Sequence, residues 1–204
     1  DITGIILAGG KSSRMGVNKA FLPLGGKSII ENTAAMMRAL FHRVILITND
    51  PEKYAFLGLD TYADIYLSMG PLGGIHAGLF YSKTEKNFII SCDIPFVTNE
   101  VIEFLSEYDT THPVTLARAE GHIQQLCGIY EKSVIDEAEH ILSSENQELP
   151  NGENNKCRVL SLIDRTGAEI IAEKDIPCYT DGMFLNMNSP DDYQIVLEKI
   201  QPQY

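Results

Sequence analysis

Cysteine is scarce in this 204-residue chain, and the sequence lacks the patterns that cysteine forms at metal sites. The four thiols stand far apart and make no C-x-x-C pair, at Cys92, Cys127, Cys157 and Cys178. This spacing argues against a zinc site and indicates reduced thiols, so we expect a cytoplasmic protein. Long apolar runs and a signal-peptide pattern are also missing, so we expect no membrane partner.

Positive charge is the second shortage, because 16 lysines and arginines stand against 28 acidic residues and the net charge is -12. Duplex binding requires a broad basic face, so we expect no nucleic-acid partner. Histidine offers little chemistry either. The five histidines show no ligand spacing and no triad partner, and we interpret them as core or surface residues: His42, His76, His112, His122 and His140.

Two well-known phosphate-binding loops are missing as well. The dinucleotide fingerprint G-x-G-x-x-G is not supplied by residues 9–14. Gly26-Lys27-Ser28 matches the tail of a P-loop, but the required upstream glycine would fall on Phe21. Any phosphate site in this chain must therefore be of another kind.

The N-terminal stretch supplies such a site. Residues 5–8 form a short apolar run, predicted to be a buried parallel strand, and it stops at Gly9 and Gly10. Glycine backbone admits a ligand closely, and exposed N–H groups in such a turn suit a phosphate. Residues 2–30 hold no acid and four cations, Lys11, Arg14, Lys19 and Lys27. A positive loop on an acidic protein indicates an anionic ligand, and this one suits a triphosphate.

The segment Leu7 to Ala20, L-A-G-G-x-S-x-R-M-G-x-x-K-A, resembles the signature of the MobA-like nucleotidyltransferases, and among them the molybdenum cofactor guanylyltransferases. The resemblance implies a three-layer α/β/α Rossmann-like fold with a mostly parallel sheet. It also implies magnesium-dependent transfer of GMP from GTP to molybdopterin, with release of pyrophosphate. Transient contact with molybdenum-cofactor delivery proteins and molybdoenzyme chaperones is implied too.

The order of predicted elements agrees with one α/β domain, with a nucleotide-binding half at about 1–110 and a second-substrate half at about 111–204. Strands and helices alternate, and ligands in such sheets lie beyond the carboxyl ends of the strands. Gly9, Asn49, Asp64 and Asp93 each stand at or just past such an end. We expect these four positions to converge on one crevice.

Asp93 follows the predicted strand Phe88–Cys92 and precedes Ile94-Pro95-Phe96. A carboxylate there caps a turn in many proteins. Beside a phosphate loop it fits Mg²⁺, which is held by one or two carboxylates plus substrate phosphates. The S-C-D-x-P-F aspartate of the resembled family binds magnesium, and the family's F-x-N-x-N-x-P segment beside the metal matches residues 184–190. The expected metal ligands are therefore Asp93 and Asn188.

The resemblance assigns further roles along the chain. Lys19 is expected nearest the transferred phosphate and Arg14 on the pyrophosphate, so the catalytic set is Arg14, Lys19 and Asp93. The loop of residues 70–74 resembles the family's loop beside the nucleotide base. The expected nucleotide-binding residues are Leu7, Ala8, Gly9, Gly10, Lys19, Asn49, Asp64, Gly73, Gly74 and Asp93. Ile47 and Thr48 are the alternatives to Asn49 in the match to the family.

Four expectations about structure are specific enough to test. The capping box Ser28-Ile29-Ile30-Glu31 predicts a helix that runs to about Leu40. A turn at residues 70–74 is predicted to lead into a helix from about Ile75 to Ser82. A final strand is predicted from Phe184 to Asn188, followed by a helix that Ser189-Pro190-Asp191-Asp192 begins. The polar segment from Ser143 to Lys156 has no periodicity and is predicted to be a mobile loop.

Two alternative functions stay open at the level of sequence. The same chemistry fits other substrates, as in a cytidylyltransferase acting on molybdopterin or a nucleotidyltransferase acting on a sugar or alditol phosphate. The other alternative is a nucleotide-binding regulator without turnover.

Overall fold

The computed structural model describes residues 1–9, 18–144 and 156–200, without the side chains of residues 156 and 157. Its strands are β1 Ile2–Leu7, β2 Pro23–Leu24, β3 Lys27–Ser28, β4 Arg43–Ile47, β5 Asp60–Tyr62, β6 Lys86–Ser91, β7 Val114–Ala119, β8 His122–Glu131 and β9 Glu169–Ala172. Its α-helices are α1 Ile29–Leu40, α2 Pro51–Tyr54, α3 Gly70–Tyr81, α4 Asn99–Glu107, α5 Ile135–Ser144, α6 Lys156–Thr166 and α7 Pro190–Ile200.

Seven of these strands form one sheet in the order β5-β4-β1-β6-β8-β7-β9, and β2 and β3 form a separate hairpin. Strands β5, β4, β1 and β6 pair in parallel, as do β7 and β9. Strand β8 runs antiparallel to both of its neighbours. The predicted α/β class with a mostly parallel sheet is confirmed.

Helices cover both faces of this sheet, and the alternation within β1 explains why. Ile5 and Leu7 face a core shared with α3, α5 and α6, whereas Ile6 faces a second core shared with α1 and α4. Successive side chains of a strand point to opposite faces, so a strand buried on both sides must be apolar throughout. The unbroken apolar run that predicted a buried strand therefore reflects two cores.

The register of the strands decides where the site can lie. Leu7, the last residue of β1, pairs with Ile47 of β4 on one side and Ser91 of β6 on the other. Ile47 in turn pairs with Tyr62 of β5. The chain passes from β1 to one neighbour through α1 and reaches the other later through α3. The order in which strands are added therefore reverses direction at β1. A reversal of this kind opens a crevice beyond the carboxyl ends of the strands, which is where ligands bind in open α/β sheets.

Several helix boundaries follow from local sequence signals. The capping box predicted at the start of α1 is present, since the Ser28 N–H donates to Glu31 Oε2 at 2.7 Å. Helix α7 begins as predicted, because Asp192 Oδ2 accepts the Ser189 N–H at 2.7 Å. These bonds satisfy N–H groups that a helix start leaves without partners.

The predicted start of the third helix is wrong. Helix α3 begins at Gly70 rather than Ile75, so the glycine-rich stretch is its first turns and not a loop before it. Proline is favoured at the first helical positions, and Pro71 stands there. Glycine is an unfavourable helix residue, but burial of Leu72 and Ile75 in the core offsets that cost.

The predicted strand from Phe184 to Asn188 is also wrong. These residues form turns and irregular backbone, and the Met187 N–H donates to the Asp93 carbonyl at 2.8 Å. The apolar residues that indicated a strand are buried for another reason, because Phe184 and Met187 belong to two different cores. Of the predicted loop Ser143–Lys156, residues 145–155 lie outside the described part of the chain.

In residues 1–9, 18–144 and 156–200, no helix combines the length and apolar character that crossing a membrane requires.

Candidate active site

A cleft of about 630 Å³ lies beyond the carboxyl ends of the parallel strands. Each strand contributes the residues that follow its last position. Gly9 follows β1, Asn49 follows β4, Asp64 follows β5 and Asp93 follows β6, and all four line the cleft. The structure thus brings together the four positions that the sequence predicted at one crevice.

The end of β1 forms the floor of this cleft. Leu7, Ala8 and Gly9 line it, and a Cβ built on Gly9 would meet no described atom within 4 Å. The backbone there is open to a ligand. Gly10 and Arg14, which the sequence also assigned to the site, lie outside the described residues.

Lys19 is fixed by two hydrogen bonds, one that caps its turn of backbone and one made by its ammonium. The Asn18 side chain accepts the Ala20 N–H at 3.1 Å and so caps the short 3₁₀ helix Lys19–Phe21. The Lys19 ammonium donates to Asn188 Oδ1 at 3.1 Å, which joins two predicted site residues 169 positions apart. Neither Lys19 nor Asn188 is among the residues that line the cleft itself.

Asn49 and Asp64 form a second polar pair in the cleft. Asn49 Nδ2 donates to Asp64 Oδ2 at 2.9 Å, and Asn49 Oδ1 accepts the Asp64 N–H at 3.0 Å. This reciprocal bonding sets both side chains in one orientation.

Asp93 is half-buried at the end of β6, and the Ser91 hydroxyl donates to its Oδ1. Its main-chain carbonyl accepts the Met187 N–H, so the segment that carries Asn188 packs next to it. Within the described ranges, no group of three or more His, Cys, Asp or Glu side chains is placed to hold a metal ion. Mg²⁺ is usually held by one or two carboxylates together with substrate phosphates, so a single carboxylate such as that of Asp93 fits such an ion.

The neighbouring Cys92 thiol is not a candidate nucleophile. Burial, and to a smaller extent the nearby Asp93 carboxylate, raise the pKa of Cys92 to about 12, while the Lys19 ammonium opposes the shift. The thiolate is the nucleophilic form of cysteine, so this side chain stays protonated and inert near neutral pH.

Gly73 and Gly74, which are adjacent in α3, have different surroundings. Gly74 lines the cleft, and a Cβ built on it would stand 3.4 Å from Leu7 Cδ2 and 3.8 Å from Asp64 Oδ1. Gly73 is not among the cleft-lining residues, and its Cβ would meet the Tyr66 carbonyl oxygen at 2.9 Å. Glycine is required at position 73 because the backbone of Tyr66 lies too close for a side chain, whereas Gly74 borders the cleft.

These distances give opposite expectations for two alanine variants. Gly74→Ala is expected to keep or raise the melting temperature, because alanine is a better helix residue by about 1 kcal/mol. Gly73→Ala is expected to lower it, because overpacking against backbone costs about 1–3 kcal/mol. Thermal unfolding of the two variants beside wild type makes the comparison. Equal melting temperatures for both variants would contradict the assignment.

Several residues that line the cleft were not predicted from the sequence, among them Asn18, Tyr54 and Ser68. An asparagine before a helical turn is a capping signal that could have indicated Asn18. Ser68 takes a left-handed backbone angle, φ 63°, and nothing in the sequence announces that angle. Tyr54 lies on α2, which follows β4 in the sequence, and only the tertiary structure brings its side chain to the cleft.

Comparison with known proteins identifies the family of this chain. Residues 4–153 match the MobA-like NTP transferase domain. The chain is 36% identical over 201 residues to a probable molybdenum cofactor guanylyltransferase of Carboxydothermus hydrogenoformans, covering 97% of this chain and 96% of that protein. It is 34% identical over 201 residues to a protein of the same name from Clostridium perfringens, covering 95% of each chain.

A solved structure shares the fold. Molybdopterin-guanine dinucleotide biosynthesis protein A from Archaeoglobus fulgidus superposes with a TM-score of 0.79 at 21% identity, covering 97% of this chain and 98% of that one. The family match covers most of the chain, and the relatives match over nearly their whole length. The chain therefore belongs to the MobA-like NTP transferase family and is a nucleotidyltransferase.

Proposed function

We propose that this chain is a molybdenum cofactor guanylyltransferase, which transfers GMP from GTP to the terminal phosphate of molybdopterin and releases pyrophosphate. The carrying observation is that Gly9 and Asp93 line one cleft at the carboxyl ends of the strands, and that the Lys19 ammonium bonds to Asn188, in the segment that packs next to Asp93. The relatives named above carry this activity in their names, which supports the choice of substrates.

Magnesium is part of the proposal, and the charges of the cleft support it. Three carboxylates line the cleft, at Asp50, Asp64 and Asp93, and a bound triphosphate would repel them. A divalent cation between carboxylate and phosphate relieves this repulsion. Asp93 would hold the ion, with Asn188 supplying its amide oxygen once the Lys19 ammonium turns from that oxygen to the phosphates. When bound, Mg²⁺ would neutralise charge on the phosphate oxygens.

The chain itself supplies alignment rather than a strong base. An oxygen of the molybdopterin phosphate attacks the α-phosphorus of GTP, and the bond from that phosphorus to the bridging oxygen of the leaving pyrophosphate breaks. A phosphate monoester is largely dianionic near neutral pH, since its second pKa is about 6. No histidine is among the described residues that line the cleft, in keeping with this chemistry.

The residues then divide the work by position. The open backbone at Gly9 offers N–H groups to phosphate oxygens, and Lys19 adds a positive charge beside them. Groups held in place before reaction stabilise developing charge at little reorganisation cost. Asn49 and Asp64, set by their mutual bonds, face the nucleoside. Gly74 leaves room for a base beside Leu7.

Nucleotide selectivity tests the proposal directly. GTP with magnesium is expected to raise the melting temperature far more than CTP, UTP or ATP at equal concentration, because binding to the native state alone stabilises it. At 100 times the dissociation constant the gain is about 2.7 kcal/mol, which corresponds to about 5–10 °C in a chain of this size. Thermal unfolding with each nucleotide is the measurement. Equal shifts from GTP and CTP would contradict the assignment of guanine.

A variant at the base-facing helix sharpens this test. Gly74→Val places two methyl groups in the space beside Leu7 and Asp64, and it is expected to reduce the difference between the GTP and CTP shifts. The Gly74→Ala protein is the matched control, because its single methyl makes only van der Waals contacts. A full GTP preference in Gly74→Val would remove Gly74 from the base site.

The alternatives give distinct outcomes in a turnover assay. Release of pyrophosphate with CTP and molybdopterin, or with a sugar or alditol phosphate as acceptor, would indicate the related transferases. Binding of GTP without formation of a dinucleotide would indicate a regulator. Release of pyrophosphate with GTP and molybdopterin, and with none of the other substrate pairs, supports the proposal.

A further inference from the structure

Tyr54 is the last residue of α2, and its side chain is buried beneath the cleft at 1% exposure. The hydroxyl makes two hydrogen bonds of opposite sense. It donates to the Ala8 carbonyl at 3.2 Å and accepts from Asn18 Nδ2 at 2.9 Å. One oxygen atom thus joins the residue after β1 to the residue before the Lys19–Phe21 turn.

The Asn18 amide has no freedom to turn away from this bond. Its Oδ1 is already bound to the Ala20 N–H, which leaves the Nδ2 group to face Tyr54. An asparagine amide has one acceptor end and one donor end, so this pairing determines its orientation. Lys19 stands between Asn18 and Ala20, and both of its neighbours are therefore held.

The ring and the hydroxyl of Tyr54 serve separate purposes. The ring stacks on Phe21 with 5.0 Å between centroids, a contact that needs no hydroxyl. Burial raises the pKa of the Tyr54 hydroxyl, and the Asn18 hydrogen bond opposes this shift. The hydroxyl is therefore protonated at neutral pH and keeps a donor for the Ala8 carbonyl.

We propose that Tyr54 is a positioning residue whose hydroxyl holds Ala8 and Asn18 at a set separation and thereby directs Lys19 at the phosphates. The inference rests on the proposed function for what Lys19 acts on. In the proposed function, the backbone after β1 and the ammonium of Lys19 bind the same triphosphate. Tyr54 bonds to Ala8 after β1 and to Asn18 before Lys19. It touches no reacting atom in this role.

Tyr54→Phe tests the hydroxyl while keeping the ring. We expect kcat for dinucleotide formation to fall by about 10- to 100-fold, because small misplacement of an aligning group has effects of that size. We expect KM for GTP to change less than kcat. Tyr193→Phe is the matched control: it also removes a hydroxyl-to-carbonyl bond, to Pro23 at 2.7 Å, but away from the cleft lining. Wild-type kcat in Tyr54→Phe would overturn the proposal.

A second variant guards against a simple folding defect. Asn18→Ser keeps a capping oxygen for the Ala20 N–H but is too short to reach Tyr54. We expect it to lower kcat in the same way as Tyr54→Phe. If Asn18→Ser folds and retains wild-type kcat, the link from Tyr54 to Lys19 is excluded.

A double-mutant cycle separates positioning from a general structural role. In a Lys19→Ala background, Tyr54→Phe is expected to lower kcat by less than about twofold, because residues that act as a unit are not additive. A structural defect would add its full factor in both backgrounds. Full additivity would therefore overturn the proposal.

Nucleotide binding distinguishes failure of this inference from failure of the proposed function. The ratio of affinities for a triphosphate and its nucleoside, which lacks every phosphate, is measured for whichever of the GTP/guanosine, CTP/cytidine, UTP/uridine and ATP/adenosine pairs wild type prefers. Tyr54→Phe is expected to reduce this ratio, and Tyr193→Phe to leave it unchanged, even if molybdopterin is not the acceptor. An unchanged ratio in Tyr54→Phe would overturn the inference and leave the proposed function standing.

Discussion

Lys19→Ala is expected to lower the turnover of nucleotidyl transfer by about 100- to 1,000-fold, the effect of removing one group that stabilises developing oxyanion charge, about 2.7–4 kcal/mol. The ammonium is held by a single described hydrogen bond, to Asn188. A hydrogen bond from a charged group contributes about 1.5–3 kcal/mol to folding, and this one is exposed to solvent. The variant should therefore fold, and pyrophosphate release under saturating GTP should show the loss.

The control for this variant is Lys83→Ala. Lys83 is exposed and lies between α3 and β6, at the amino end of that strand and away from the cleft. Lys83→Ala removes one positive charge, as Lys19→Ala does, so any effect of net charge alone appears in both variants. Full activity in Lys19→Ala would refute the mechanism proposed for the phosphate site.

Asp93→Asn is expected to lower the rate of magnesium-dependent pyrophosphate release by about 100-fold or more. The reason is that a metal ion stabilises phosphate charge in the transition state by several kcal/mol. The substitution keeps the shape of the side chain and an oxygen acceptor for the Ser91 hydroxyl. The main-chain bond from Met187 to the residue 93 carbonyl is unaffected. The variant should fold and bind some GTP through Gly9 and Lys19.

Two readouts make this expectation specific. Added magnesium should restore little turnover, since the ion must also be positioned, and the magnesium-dependent part of the GTP melting shift should shrink. Asp109→Asn, an exposed carboxylate after α4, is the charge-matched control and should behave as wild type. Normal turnover in Asp93→Asn would place the metal elsewhere, with Asp64 as the next candidate.

Local signals in the sequence were reliable where one interaction dominates. The starts of α1 and α7 were predicted because capping side chains lie within three or four residues of the N–H groups they satisfy. The start of α3 was missed because its glycines argue against a helix and only burial of Leu72 and Ile75 overrides that preference. The false strand at residues 184–188 arose because burial in a tight irregular segment produces the same apolar pattern as a strand.

By itself, the sequence determined the fold class and the side of the sheet on which the site lies. Parallel strands with helical crossovers must present all their carboxyl ends at one edge, so Gly9, Asn49, Asp64 and Asp93 had to gather there. Tertiary structure alone decided which side chains bond across that edge. Lys19 meets Asn188 from 169 residues away, and Tyr54 meets Ala8 and Asn18 from 46 and 36. Such contacts depend on register and packing, which no local pattern of residues encodes.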